Sequence, residues 1–379
     1  MNKYLAVLPL ILGLLGAGSS RGADAPPAPP ALPALPLATQ QAIDRIVQQQ
    51  LSAQNLPGVA VLVSIPGRGE MVKAYGLANL QTRLPRDAAE PFRIASITKT
   101  FIGTVILQLV DDGRLALTDT VSKWYPTFPN GDKITVDDLL RMRSGIADSL
   151  DDTYLQELYA NPTAPVTARQ MIDRAAARAA EFKPPNTQTR YTNINFVLLE
   201  EIARRVAGED IRTLLQRRIY APLGMTQTVY PRGTELGGTN RGYLFNPRTS
   251  AFEDLTVLNP AGAGGAGAII STLADLKRYA RALCTGTLLT PGTQARRLQG
   301  TQLTGEPPFV QYGAGVLKLG RFCGHNGTIF GFSSEMFYLP EQDALVIVSV
   351  NRLDLDDHSQ STELFLLLTR ELFPQDVNW

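Results

Sequence analysis

Residues 92–103 read FRIASITKTFIG. A small hydroxyl residue, Ser96, stands at the head of an apolar run over 97–110 that closes at Gly113. That pattern predicts a buried helix. Positions three apart on a helix share a face, so Lys99 can bring its amine to the Ser96 hydroxyl. The plainer reading makes Ser96 an N-cap, a common use of serine. The chemical reading is that a helix start surrounds Ser96 with partial positive charge and free N–H groups. A buried lysine loses its proton readily and can act as a base toward serine. Alone, S-x-x-K is a weak signal, because chance matches are frequent.

The pattern around this stretch predicts a sheet built from both ends of the chain. A helix is expected over 39–53, with Ile43, Ile46, Val47 and Leu51 on one side. The runs 59–65 (VAVLVSI) and 71–75 (MVKAY), with a turn at 67–69, predict a hairpin. From 135 to 279 the chain reads as mostly helical. Thr135 and Asp138 form a possible capping box, and 193–206 (NINFVLLEEIARRV) predicts a second helix ending at Gly208. Strands return at 312–319, 333–339 and 344–350, and a helix over 362–372 closes the chain. The expected fold class is therefore α/β (α+β): an antiparallel sheet flanked by helices, with a mostly helical lobe inserted over about 115–270. The whole domain is expected over 39–375.

The chain has 379 residues, of which 44% are hydrophobic and 19% charged, enough apolar material for a full core. Its 36 Lys and Arg nearly cancel its 35 Asp and Glu, so no basic field is available to hold a nucleic acid. Two His and two Cys cannot build a Cys-rich zinc module or a disulfide framework; no metal or other cofactor is expected. A Ser-His-Asp triad would have to use His325 or His358.

Residues 1–23 have the form of a signal peptide: Lys3, an apolar core over 5–15 (LAVLPLILGLL), then small residues. The alternative, a membrane anchor, needs ~20 apolar residues, so no stable membrane span is expected once the leader is removed. The chain is expected to be exported, to the periplasm or the medium. Residues 24–38 form a Pro-rich linker; PPAPPALPALPL over 26–37 should be extended and poorly packed. Export permits a disulfide between Cys284 and Cys323, and two free thiols remain equally open.

Two further motifs carry candidate chemistry. Tyr191-Thr192-Asn193 reads plainly as an aromatic packing residue at a helix entry with Asn193 as cap. Chemically, Tyr191 offers a proton-handling hydroxyl and Asn193 an amide to grip a substrate carbonyl. His325-Asn326-Gly327-Thr328 reads plainly as a Gly turn between strands at the end of the sheet. Chemically, Gly327 permits close approach to the serine, and the Thr328 N–H can donate to a developing oxyanion. Other strings are set aside. Gly262-Ala263-Gly264-Gly265-Ala266-Gly267 fits a dinucleotide fingerprint only formally, and is read as a loop running into a helix at Thr272, near the cleft. Asn326-Gly327-Thr328 matches a glycosylation sequon by chance. Asp354, Asp356, Asp357 and His358 read as a solvated loop rather than a metal site.

Three weak motifs in one order are stronger than any alone. The order S-x-x-K, Y-x-N, H-x-G-T resembles the penicillin-recognising serine hydrolases, the serine β-lactamase and D-Ala-D-Ala carboxypeptidase superfamily. The Y-x-N and His-x-Gly forms are similar to the branch with secreted D-alanyl-D-alanine carboxypeptidases, class C β-lactamases, D-aminopeptidases and related esterases. The similarity covers about 39–372, with support from FRIASITKTFIG, LLRMRSGIAD, YTNINFVLLEEIA and GHNGTIFGFSS. The resemblance implies a β-lactamase/transpeptidase-like fold. It implies Ser96 as the nucleophile of an acyl-enzyme, with Lys99 and Tyr191 sharing the proton traffic. It implies His325 against the Tyr191 hydroxyl or a substrate carboxylate, and Asn193 orienting the acyl amide. The N–H groups of Ser96 and Thr328, beside Gly327, would form an oxyanion hole worth ~3–4 kcal/mol of barrier.

Two departures bear on the substrate. Asn326 replaces the more usual Thr or Gly, and RMRSG replaces the more familiar HTSG. His325 is mainly neutral near pH 7 and attracts a β-lactam carboxylate less than a lysine would. The resemblance thus implies a carboxypeptidase on D-amino-acid peptides. An esterase or weak β-lactamase is the alternative within this chemistry, and a non-catalytic penicillin- or peptidoglycan-binding protein is the alternative outside it. The expected partner is a small peptide, peptidoglycan-stem or ester substrate, and the chain is expected to be a monomer.

Overall fold

β1 (Gly58–Ile65) is buried along its whole length, as a strand without polar alternation must be. It appears in a computed structural model that describes residues 32–246, 249–354, 359–377 and 379. The expected leader and most of the expected linker lie outside the described residues, as do Asp356, Asp357 and His358.

The strands that follow are β2 (Gly69–Asn79), β3 (Leu84–Pro85), β4 (Phe92–Arg93), β5 (Tyr243–Asn246), β6 (Ala251–Asp254) and β7 (Ile270–Ser271). After them come β8 (Thr301–Gln302), β9 (Val310–Tyr312), β10 (Leu317–Leu319), β11 (Phe322–Ile329), β12 (Phe332–Leu339), β13 (Ala344–Val350) and β14 (Arg352–Asp354). Among the described residues the main sheet has nine strands, in the order β3-β2-β1-β13-β12-β11-β10-β9-β8. The two ends of the chain meet where β1 pairs antiparallel with both β2 and β13, Val61 lying opposite Lys73 on one side and Val348 on the other.

The helices are α1 (Leu37–Ala53), α2 (Thr98–Asp111), α3 (Val136–Leu140), α4 (Asp152–Ala160), α5 (Ala168–Ala176) and α6 (Ile194–Ala207). Then follow α7 (Ile211–Leu215), α8 (Ala221–Leu223), α9 (Leu273–Thr285), α10 (Pro291–Leu298) and α11 (Gln360–Leu372). α11 packs on one face of the sheet: Phe365 meets Phe337 at 4.9 Å between ring centroids, and the Ser361 hydroxyl donates to Glu335 at 3.2 Å. Strand side chains alternate, so Ser334 and Met336 face the other way, and His325, opposite Met336, shares that second face. α9 packs there and is tied to β11 by the Cys284–Cys323 disulfide. α2 is buried almost all round, with Phe101, Ile102, Val105, Ile106 and Leu109 fully enclosed; such a helix belongs to the core. Among the described residues no helix is long and apolar enough to cross a membrane.

Several expectations need correction. The end of the proline tract is packed, not loose: Leu35 is buried, its N–H donates to the Glu70 carbonyl, and the Glu70 N–H donates to Pro33. α1 starts at Leu37, inside the expected linker, because this edge of β2 offers the tract backbone partners. The run 312–319 is two strands, since the Gly313 N–H turns back onto the Val316 carbonyl at 2.8 Å. The inserted lobe is less helical than expected: between α8 and α9 the described residues form strands and short turns, including β5 and β6 with β14 beside β5. His325 to Thr328 lie within β11, not between strands.

Candidate active site

Ser96 lies in a single 3₁₀ turn, Ala95–Ile97, that leads into α2. It is half-buried and does not cap: no side chain caps α2. Ala95 before it has φ +47°, a conformation costly for a residue with a Cβ. The turn is held by Ile94, whose N–H donates to Ile269, and by the Ile97 N–H on Ile94. The hydroxyl is therefore presented by a turn held at both ends and remains available for chemistry.

Lys99 is fully buried, and its Nζ has three neighbours. They are Ser96 Oγ at 2.8 Å, Asn193 Oδ1 at 2.8 Å and the Ala266 carbonyl at 2.9 Å. A charged ammonium satisfies all three. A neutral amine has two protons, and Asn193 Oδ1 and Ala266 O can only accept. Of the three, the Ser96 hydroxyl alone has a proton to give, and the amine's lone pair is left facing it. Burial pulls Lys99 down to about 7, with the Asp148 carboxylate acting in the opposite direction.

Asn193 is pinned from behind. Its Nδ2 donates to Asp148 Oδ2 at 2.7 Å, and its backbone N–H donates to the same oxygen at 3.0 Å. The side chain is thus not a helix cap, and its amide stands between Asp148 and Lys99. Asp148 was not foreseen, although it ends the stretch LLRMRSGIAD. The Ser144 hydroxyl of that stretch donates to Asn195 Oδ1 at 2.7 Å, anchoring the loop to α6.

Tyr191 enters just before α6, its ring centroid 4.8 Å from Lys99 Nζ. The ring meets Tyr312 edge-on at 5.9 Å and tilts toward His325 at 6.1 Å. Loss of hydration raises its phenol, the Ser96 hydroxyl lowers it and Asp148 raises it. Because 37% of the residue is open to solvent, water screening moderates that rise.

His325 is fully buried. Its Nδ1 lies 2.6 Å from the Asn326 carbonyl, an acceptor only, so Nδ1 carries the proton. Nε2 therefore accepts from the Tyr312 hydroxyl at 3.1 Å. Both ring nitrogens are taken by the protein, in place of the expected Tyr191 hydroxyl or substrate carboxylate. Burial, and then Lys99, lower the imidazole to about 3 against the Asn326 carbonyl, so it is neutral at working pH.

Gly327 touches the Ser96 turn directly. A Cβ there would stand 2.3 Å from the Ile94 carbonyl and 3.0 Å from the Ser96 nitrogen. Thr328 follows, exposed and opposite Ser333 on β12. Pairing by β10 covers β11 only at Phe322, Cys323 and Gly324, which leaves the remainder of that edge beside the turn. Ser96, Lys99, Tyr191, Asn193, His325 and Gly327 are thus brought to one place, from α2, the head of α6 and β11. Ala266, whose acceptor carbonyl comes from the Gly-rich loop, could not be found by residue type, because any residue carries that group. A separate cavity lined by Phe128, Ile134, Ser144, Ala147 and Phe182 contains none of the residues of this cluster. Among the described residues no group of His, Cys, Asp and Glu is placed to hold a metal ion.

The model of the Beta-lactamase family matches residues 43–369, and the chain belongs to that family. It is a hydrolase of the serine β-lactamase/transpeptidase fold. A D-stereospecific amidohydrolase from Streptomyces sp. superposes with TM-score 0.78 at 29% identity, over 89% of this chain and 98% of that one. D-amino acid amidase from Ochrobactrum anthropi SV3, complexed with L-phenylalanine amide, gives TM-score 0.78 at 26% identity, over 88% and 97%. Among curated relatives, unguisins hydrolase ungD' of Aspergillus campestris is 26% identical over 88% of this chain and 65% of its own length. Protein flp of Staphylococcus aureus is 30% identical over 51% of this chain and 38% of its own. The chain thus spans less than two thirds of either curated relative.

Proposed function

We propose that the protein hydrolyses amide bonds next to D-amino acids through an acyl-enzyme on Ser96. The observation that carries this reading is the Lys99 amine, 2.8 Å from Ser96 Oγ, with its other two contacts acceptor-only. Neutral Lys99 takes the Ser96 proton as Oγ bonds to the substrate carbonyl carbon. The resulting oxyanion is received by the N–H groups of Ser96 and Thr328. The C–N bond then breaks, and the leaving amine takes a proton from Tyr191, which is restored from the Lys99 ammonium. Water adds to the ester carbonyl by the same route in reverse, releasing the acid and Ser96.

The leaving group is where the sequence and the site diverge. The motifs alone point to a D-alanyl-D-alanine carboxypeptidase, whose substrate ends in a carboxylate. A neutral His325 with both nitrogens occupied offers that carboxylate no charge. This favours a leaving group without a carboxylate, as does likeness to a D-stereospecific amidohydrolase and a D-amino acid amidase. The Cys284–Cys323 disulfide supports export to an oxidising compartment.

The test has two parts. A fluorescent penicillin or activated ester should label the wild type and leave Ser96→Ala unlabelled; equal labelling of both removes the nucleophile assignment. Turnover of a D-amino acid amide, a D-Ala-D-Ala peptide, a short ester and a cephalosporin should then favour the amide. A strong preference for the carboxylate-ended peptide would restore the carboxypeptidase reading.

A further inference from the structure

Two of the three Lys99 contacts trace back to a single helix. Asn193 immediately precedes α6 and accepts from Lys99 directly. Seven positions on, and therefore on the same face, lies Glu200, buried and outside the mechanism above. Its Oε2 accepts from the Tyr230 hydroxyl at 2.9 Å. The same oxygen lies against the Gly-rich loop, 3.1 and 3.2 Å from where a Cβ on Gly264 or Gly265 would stand. The Gly265 N–H opposes the rise that burial causes in its pKa. Gly265 is the residue before Ala266, whose carbonyl accepts from Lys99. The loop reaches α6 only because Gly265 is bare: a Cβ would stand 2.5 Å from the Phe196 carbonyl and 2.9 Å from Glu200 Cβ.

We infer that Glu200 is a positioning residue for the Ser96 reaction: by gripping Gly265 it holds the Ala266 carbonyl on Lys99, so that α6 clamps the amine at two points. This rests on the proposed role of Lys99 as base. Without the clamp, Lys99 loses one of its two acceptor-only neighbours, and its lone pair is no longer confined to Ser96. Loss of that carbonyl also withdraws support from the ammonium, so the amine should deprotonate at lower pH. The other charged groups near Glu200 are Glu201 and Arg204, which pair with each other and stay in place in the variants below.

The experiment compares acylation of the full chain by an activated ester, across pH 5–10, for wild type, Lys99→Ala, Glu200→Gln and Glu200→Ala, with melting curves alongside. Glu200→Gln keeps an oxygen for the Gly265 N–H and should remain within about threefold of wild type. Glu200→Ala should lose roughly ten- to a hundredfold in kcat with KM unchanged, and its acid limb should move to lower pH. A folded Glu200→Ala with an unmoved limb and kcat within twofold overturns the positioning role. If Glu200→Ala does not fold, Glu200→Gln decides: near-wild-type kcat and limb support the grip, and a large kcat loss with an unmoved limb overturns it. The base assignment fails separately, if Lys99→Ala keeps the wild-type rate and acid limb.

Discussion

α2, the floor of the site, and β11, its wall, each bury a nitrogen base, with different outcomes. On the floor, Lys99 is dehydrated to about 7 with Asp148 opposing the fall. On the wall, His325 is dehydrated to about 3, with Lys99 adding to the fall. Burial is complete for both side chains, so burial does not separate them. Both fall by a similar amount, Lys99 from 10.5 and His325 from 6.5, so what separates them is the higher proton affinity an amine starts from. The carboxylate beside Lys99 and the cation beside His325 act in opposite directions but are secondary to burial. The floor therefore keeps a group able to exchange a proton near neutral pH, and the wall keeps a fixed neutral ring that shapes the site.

The strongest way to break this contrast is Lys99→Ala. Loss of a positioned base should slow acylation by ~10²–10⁴-fold, while folding is retained, as stopped-flow labelling with an activated ester would register. An unchanged rate would mean the floor holds no base. In the wild type the rate should rise with pH through about 7, because only the neutral amine accepts the Ser96 proton. One unit below that value roughly a tenth of the plateau should remain.

Gly327→Ala tests the seam between the two regions. The added methyl must displace the Ile94 carbonyl or the strand, at a cost of about 1–3 kcal/mol. The shift of β11 from Ser96 should slow acylation by up to roughly 10²-fold; unaltered melting and turnover would show the contact to be loose. A smaller effect is expected from Asp148→Asn, about tenfold in kcat through a less firmly held Asn193, with the acid limb moving below its wild-type position as the charge supporting Lys99 disappears. A limb that moves upward would contradict the sign of that interaction. Least of all, His325→Gln should leave the pH profile between 5 and 8 unchanged, since the wild-type ring does not titrate there. Disappearance of a limb in that range would place the imidazole in the proton path.

The legible parts of the fold are those set by local pattern. The central hairpin, α2, the Thr135–Asp138 capping box and α6 ending at a left-handed Gly208 each follow from apolar spacing and end signals. The break within 312–319, the packed proline tail and the strands of the inserted lobe do not. They depend on partners far away in the chain, which periodicity does not encode.

The site divides in the same way. Residue types at motif spacing identified Ser96, Lys99, Tyr191, Asn193, His325, Gly327 and Thr328 as candidates, because hydroxyl, amine, phenol and imidazole chemistry belongs to the side chain. Asp148 and the Ala266 carbonyl emerged only from the folded chain, as did the occupation of both His325 nitrogens. Which groups exist is written in the order of residues. Which of them are charged, and which way their protons face, is decided by burial and by neighbours that only tertiary packing brings within hydrogen-bond reach.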